Sequence, residues 1–180
     1  MRKQLKIIEK KRVLNFHYRS IENWRGQFPQ ADRPGDFCIE VAPDIVMVFA
    51  LTKKKQVVFI NEYYLGEEKA VDSLVAGFVD PDKTPLATAK NELREEAGHE
   101  SKKWVNLGKV MKSKYATGYC HFFLALDAVR IGEQQLEEME LIKVREMGLS
   151  DFIRHLRQGR INSLHGSLAC YLALDYLKKL

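Results

Sequence analysis

The sequence has no apolar run long enough to cross a membrane. Its longest, residues 45–51, falls far short of the roughly 20 residues that a membrane-spanning helix needs. Cysteine is also scarce: the 3 cysteines are too far apart for a zinc knuckle or a paired disulfide framework. Residues 1–12 alternate Lys and Arg with single apolar residues, unlike a secretory signal. These absences predict a cytoplasmic protein with no membrane partner.

The composition is that of a folded domain with a mild basic excess. Of 180 residues, 46% are hydrophobic and 29% charged, which excludes disorder as the main state. The formal net charge is +5, but no run of Lys and Arg reaches the density of a nucleic-acid-binding tail. We therefore expect solvated basic faces or a site for a small phosphorylated ligand, and no nucleic-acid partner.

Strand patterns dominate the chain, in mixed order with a few helices. The expected strands include 37–41, 45–51, 57–64, 104–111, 119–126 and 139–144, and two helices close the chain at 149–158 and 164–180. Residues 23–35, rich in Pro and Gly, are expected to form turns. This order favours an α+β fold, with a mixed sheet between helices, over a regular βαβ alternation.

Residues 77–99 contain the clearest helix signal. Thr84 is a good N-cap, Pro85 suits the first helical position, and Gly98 suits a left-handed C-terminal residue. Between these ends the apolar residues form one narrow stripe: Leu86, Ala89, Leu93 and Ala97.

Two carboxylates lie beside this stripe. At about 100° per residue, Glu92 and Glu96 project within roughly 40° of each other, with Glu95 further round. Arg94 points to another face, so the pair repels without a cation nearby. A hard divalent cation would relieve that repulsion, and oxygen-only ligands select Mg²⁺, with Mn²⁺ as the alternative. A solvated acidic face is the competing interpretation.

This segment resembles a Nudix box, and six positions match in register: Gly77, Glu92, Leu93, Glu95, Glu96 and Gly98. Three positions depart from the family pattern: Lys83 replaces a Glu, Asn91 an Arg and His99 an apolar residue. The wider likeness is closest to the ADP-ribose and nucleoside-diphosphate-sugar pyrophosphatase branch. It rests on QVVFINEYY, SLVAGFVD, YATGYCHFFLAL and EEMELIKVREMGLSDFIRHLRQGRINS.

The resemblance implies a Nudix fold in a mixed α/β/α sandwich, preceded by an N-terminal β arm. Residues 1–41 would form the arm, which this branch uses to build a homodimer, and residues 42–180 the hydrolase domain. The implied reaction is metal-dependent hydrolysis of a nucleoside diphosphate sugar to a nucleoside monophosphate and a sugar phosphate.

Site residues follow from the same resemblance. The main-chain carbonyl of Ala76 and the carboxylates of Glu92 and Glu96 would be metal ligands, with Glu95 in support. The catalytic base would come from the acidic loop that contains Glu137, Glu138 and Glu140. We favour Glu140, because it enters the expected strand, and then Glu138.

Two positions that the resemblance places near the substrate depart from the branch pattern. Tyr64 stands where the branch commonly has a phosphate-holding Arg, and Ser73 stands where it often has Glu. Trp24 and Phe28 are candidates for stacking a nucleobase across a dimer interface, with ordinary packing as the alternative.

Two other functions stay open. A non-catalytic Nudix-like module could bind a sugar nucleotide or a partner protein, and Lys83 and Asn91 favour that interpretation. An enzyme of the same fold could act on nucleoside triphosphates or capped RNA, but the arm and the late acidic loop argue against it.

Overall fold

The computed structural model describes residues 4–178. Its elements in chain order are β1 (Lys6–Asn15), β2 (Ser20–Gln27), β3 (Gly35–Val41), β4 (Ile45–Thr52), β5 (Gln56–Tyr64), β6 (Lys69–Ser73), β7 (Val75–Phe78), α1 (Pro85–Ala97), β8 (His99–Glu100), β9 (Lys103–Met111), β10 (Tyr119–Arg130), β11 (Ile142–Gly148), α2 (Leu149–Arg157) and α3 (Leu164–Tyr176). In this part of the chain, no helix has both the length and the apolar character needed to span a membrane.

The chain forms two compact units. The smaller comprises residues up to Asp44 together with Met111–Tyr119, and the larger comprises Ile45–Val110 and the chain from Cys120 onward. Sequence reasoning did not anticipate that the later segment Met111–Tyr119 belongs to the smaller unit. The boundary expected at residue 41 stays a prediction.

The smaller unit is an antiparallel sheet in the order β1-β2-β3. The later segment joins it along β3, where the Glu40 N–H donates to the Tyr115 carbonyl at 2.9 Å. Register pairs Asn23 with Cys38 and Gly26 with Gly35. The expectation of turns from residue 23 was therefore wrong for 23–27, because cross-strand pairing extends β2 to Gln27.

The larger unit is built on an eight-stranded mixed sheet. Its main path runs β11-β5-β4-β10-β8, while β6 pairs with β5, β7 with β4 and β9 with β10. Strand β4 is parallel to β10 and antiparallel to β5 and β7. The central position of β4 buries both of its faces, which is why residues 45–51 are apolar without alternation.

Helices cover both faces of this sheet. On one face, Val46, Val48 and Ala50 of β4 share a core with buried residues of α1. On the other, Met47, Phe49 and Leu51 pack with α2 and α3, and the rings of Phe49 and Phe152 lie 5.7 Å apart. This α/β/α arrangement confirms the expected fold class.

Two expected boundaries differ from the structure. The strand expected at 139–144 is β11, Ile142–Gly148, because it pairs with β5 from Ile142↔Glu62 to Gly148↔Gln56. The helix expected at 164–180 ends at Tyr176, and residues 179–180 lie outside the described chain.

Candidate active site

Helix α1 begins and ends as its local sequence predicts. The Thr84 side chain accepts a hydrogen bond from the Ala87 N–H at 3.2 Å, and Pro85 occupies the first helical position. Gly98 adopts a left-handed φ of 62° and donates its N–H to the Arg94 carbonyl. The apolar stripe packs against the sheet, so the acidic flank of the helix lies beside strand β7.

Gly77 of β7 makes room for the first carboxylate of this flank. A Cβ at position 77 would overlap the Glu92 carboxyl group, in particular its Oε1 atom. Only a residue without a side chain lets Glu92 lie directly against the strand. The matching glycine of the Nudix box is therefore explained here by close approach of a side chain to the backbone.

The second carboxylate is fixed to the same strand. Oε2 of Glu96 accepts a hydrogen bond from the Ala76 N–H at 3.0 Å, and the Glu96 residue is only 5% exposed. Burial raises the pKa of Glu96 well above the ordinary carboxyl value, although the hydrogen bond from Ala76 opposes the rise. The negative charges of nearby carboxylates raise it further: Glu92, Glu62 and Glu140.

The pKa of Glu92 is raised for the same reasons. Burial raises its pKa to about 7, and four acidic neighbours contribute: Glu95, Glu140, Glu137 and Asp80. Glu95 is half-buried and lies 3.5 Å from the Arg94 guanidinium. The structure thus brings together the three predicted helix acids and the acidic loop of residues 131–141, and their charges repel one another.

These residues fit a divalent cation. The donors are oxygens only, and Gly77 lets the Glu92 carboxylate lie against the backbone of β7. Burial, together with neighbouring carboxylates, raises the pKa of Glu92 to about 7. Within residues 4–178, no three acidic, His or Cys side chains form a complete metal centre by themselves. An incomplete protein shell is typical of Mg²⁺, which keeps waters and substrate oxygens as ligands.

Hydrogen bonds hold Glu140 in a turn, which is not the reason for its placement expected from the sequence. It precedes β11 by two residues, so it does not enter the strand. Instead its Oε2 accepts the Glu137 N–H at 2.8 Å, and its own N–H donates to the Glu137 carbonyl at 3.1 Å. Glu137 and Glu138 are exposed, whereas Glu140 is half-buried. This turn fixes Glu140 better than the other two.

Sequence reasoning missed Glu62. It lies on β5, directly across from Ile142 of β11. Burial raises the pKa of the Glu62 carboxyl, and the charge of Glu140 adds to the rise. The signal was available as a single acid directly after the stretch VVFIN of β5, on the same face as the buried Ile60.

Tyr64 and Ser73, which both depart from the branch pattern, lie in contact with each other. The Tyr64 hydroxyl lies 3.1 Å from the Ser73 hydroxyl, across the β5–β6 pair. A neutral hydroxyl pair therefore occupies the positions where the branch commonly has Arg and Glu.

Trp24 and Phe28 have partners inside the smaller unit. Lys10 Nζ lies 3.6 Å from the centroid of the Trp24 ring, and the indole N–H donates to Glu22 at 2.8 Å. The Phe28 ring packs edge-on against Phe37. Their assignment to substrate binding stays a prediction.

Lys83 and Asn91, the other departures, each have a local partner. Lys83 Nζ lies 2.6 Å from Asp80, and the hydrogen bond to Asp80 raises the pKa of the lysine. Asn91 accepts a hydrogen bond from Arg94 at 3.4 Å.

A family model of the NUDIX domain matches residues 42–165, so the chain belongs to the NUDIX family. The chain is 28% identical over 114 residues to the "ADP-ribose pyrophosphatase" of Bacillus subtilis (strain 168), covering 62% of each protein. It is 25% identical over 122 residues to the "Methanol dehydrogenase activator" of Bacillus methanolicus, covering 66% of this chain and 65% of that one. The matches thus span less than two thirds of the length of either curated relative.

A solved structure shares the fold. The crystal structure of an ADP compounds hydrolase superposes with a TM-score of 0.85 at 19% identity, over 98% of this chain and 97% of that one. The predicted membership of the Nudix family is thereby confirmed. The Bacillus subtilis relative carries the name of the branch that the sequence resembles. Members of this family generally use a divalent metal ion.

Proposed function

We propose that this protein hydrolyses the diphosphate bond of nucleoside diphosphate sugars and that its substrates resemble ADP-ribose. The observation that supports the proposal most strongly is the close pair of carboxylates on α1. Glu92 lies against Gly77 and Glu96 is bonded to Ala76, and the pKa of Glu92 is raised to about 7. Such a pair is unfavourable alone and favourable around a cation and a diphosphate. The Bacillus subtilis relative supports the substrate class.

Glu92 and Glu96 would hold Mg²⁺, with Mn²⁺ as the alternative. Glu95 would support them, and the Ala76 carbonyl would complete the protein's share of the ligands. When bound, the cation supplies charge neutralisation for the diphosphate oxygens. Because the Ala76 N–H already binds Glu96 Oε2, the orientation of that carboxylate is set before any ligand arrives.

Glu140 would act as the general base, with Glu138 next in order. A water oxygen attacks one phosphorus, the bond from that phosphorus to the bridging oxygen breaks, and Glu140 takes the water proton. The products are a nucleoside monophosphate and a sugar phosphate. The hydrogen bond from the Glu137 N–H holds one oxygen of Glu140, which leaves the other oxygen for the proton.

Substrate selectivity would depend on the hydroxyl pair of Tyr64 and Ser73. A phenol and a serine donate and accept hydrogen bonds without charge, so phosphate would be held less strongly here than by an arginine. Trp24 and Phe28 are proposed to stack the nucleobase across the dimer interface.

We further propose a homodimer formed through the arm. Among residues 4–178, strand β1 is an edge strand of the smaller sheet, paired with β2 on one side, and it is exposed along its whole length. Its exposed apolar residues include Ile8 at 52%, Val13 at 58% and Leu14 at 53%. Exposed apolar residues on an edge strand form a surface that a second copy of the chain can cover.

Product analysis tests the activity. Purified protein is incubated with ADP-ribose, ADP-glucose, GDP-mannose, UDP-glucose and nucleoside triphosphates, in Mg²⁺, in Mn²⁺ and in chelator. We expect metal-dependent release of a nucleoside monophosphate from at least one sugar nucleotide. If no compound is cleaved while a sugar nucleotide raises the melting temperature, the chain is a binding module, the alternative favoured by Lys83 and Asn91.

A further inference from the structure

The last turn of α1 is capped by the acidic loop. A helix normally leaves its final four carbonyls without helical partners. Here the Gln135 N–H donates to the Glu95 carbonyl and the Ile131 N–H donates to the Gly98 carbonyl, both at 2.8 Å. The loop that contains the proposed base is thus bonded directly to the helix that contains the proposed metal ligands.

His99 completes this cap from the helix side. It is 2% exposed, and its Nδ1–H donates to the Ala97 carbonyl at 2.6 Å. The carbonyl that the loop does not reach is therefore satisfied by the residue that departs from the family's apolar position.

The remaining carbonyl, that of Glu96, is bound by a side chain. Nε2 of Gln134 donates to the Glu96 carbonyl at 2.6 Å and lies 3.4 Å from the Ile142 carbonyl. One amide thereby contacts both a proposed metal ligand and the first residue of β11. Glu137, Glu138 and Glu140 lie between Gln134 and Ile142. The amide of Gln134 therefore connects the two ends of this acidic segment.

We propose that Gln134 is a positioning residue that holds Glu140 in place relative to Glu96. The inference rests on the proposed function, in which Glu140 is the base. Glu140 and Glu137 bond mainly to each other, so their turn needs an external attachment to have a defined place. Main-chain bonds attach the loop at Ile131, at Gln135 and at Leu141, whose carbonyl accepts from the Tyr63 N–H at 3.2 Å. The Gln134 side chain adds a link between α1 and Ile142, the first residue of the strand that follows the loop.

Gln134→Ala and the isosteric Gln134→Glu test the role. Both remove the donor, and the second also places a carboxylate against two carbonyls. Gln135→Ala is the matched control, because the contact of Gln135 to the helix is through its main-chain N–H and persists in alanine. We expect kcat to fall on the order of tenfold to a hundredfold in both Gln134 variants with KM little changed, and the melting temperature to stay nearly unchanged in Gln134→Ala. The control should behave as the unaltered protein.

A double-mutant cycle with Glu140→Gln asks whether Gln134 acts through Glu140. If it does, Gln134→Ala lowers kcat by less than about twofold once Glu140 is glutamine. An equal fold-loss in both backgrounds would overturn the positioning role while leaving the proposed base in place. Full activity of Glu140→Gln would overturn the base, and with it the role of Gln134.

Hydrogen exchange tests the attachment without any turnover. In metal-free Gln134→Ala, amides of residues 135–141 should exchange about tenfold faster, with β4 unchanged. Unchanged exchange across that segment would overturn the attachment, whatever the activity of the enzyme.

Discussion

The main-chain N–H of Ala76 donates a 3.0 Å hydrogen bond to Oε2 of Glu96, joining strand β7 to helix α1. The bond joins two predicted metal ligands, of which Ala76 came from the resemblance alone and Glu96 also from its spacing on the helix. It orients the Glu96 carboxylate and ties the least exposed acid of the site to a rigid sheet.

Glu96→Gln should abolish turnover without unfolding the protein. The amide keeps an oxygen for the Ala76 N–H but loses the charge that a divalent cation needs. Burial raises the pKa of Glu96, so the neutral variant should be at least as stable as the unaltered protein at pH 8. Steady-state kinetics and urea unfolding check both parts. The exposed Glu100→Gln is the control, and retained turnover in Glu96→Gln would reject the metal-ligand assignment.

Gly77→Ala should lower kcat at least tenfold, because its methyl group would displace the Glu92 carboxylate from β7. The same change at Gly66, where a Cβ would meet nothing within 4 Å, is the matched control. Kinetics and the Mg²⁺ concentration for half-maximal activity should change in the first variant only. Equal behaviour of the two variants would contradict the role given to Gly77.

Stability of the metal-free protein should fall as pH rises towards neutrality. The folded pKa of Glu92 is about 7 against an ordinary 4.5, so folding favours its protonated form. Its stabilising contribution is complete below pH 4.5 and is lost as pH rises through about 7. Urea unfolding in chelator between pH 4 and 8 measures the slope. Glu92→Gln should flatten it, and an unaltered slope would show that Glu92 does not cause it.

Divalent cations should reverse that trend. Since the carboxylates must lose their protons to bind metal, Mg²⁺ should raise the melting temperature more at pH 8 than at pH 6. Thermal unfolding with Mg²⁺, with Mn²⁺ and with chelator measures this. Glu96→Gln should show little response, whereas an equal response in that variant would place the metal elsewhere.

The proposed dimer predicts a change in mass. Val13→Lys combined with Leu14→Lys should yield a monomer by light scattering, because two charges would replace exposed apolar contacts of β1. Tyr171→Lys, at a comparably exposed aromatic residue of α3, is the control. A monomeric unaltered protein would contradict the dimer outright.

Local features of the fold were predictable from the sequence. The ends of α1 depend on Thr84, Pro85 and Gly98, whose effects act within one turn of the helix. The apolar stripe of α1 indicated burial on one face, and the uninterrupted apolar run of β4 indicated burial on two. The metal-ligand candidates followed because three of them lie on this one helix.

Other features depended on pairing between distant segments. The predicted start of β11 was wrong by three residues, because pairing with β5 and not the composition of β11 sets where the strand begins. Strand β2 extends into a Pro- and Gly-rich stretch for the same reason, because β3 pairs with it as far as Gly26↔Gly35.

The sequence by itself determined the helix, its caps and the spacing of its acids, because these involve neighbours within four residues. Only the tertiary structure placed Glu62 beside Glu140, Ala76 beside Glu96, and Gln134 between Glu96 and Ile142. Those pairs come from different strands, loops and helices. Their proximity is decided by how the sheet and α1 pack, which no local pattern of residues encodes.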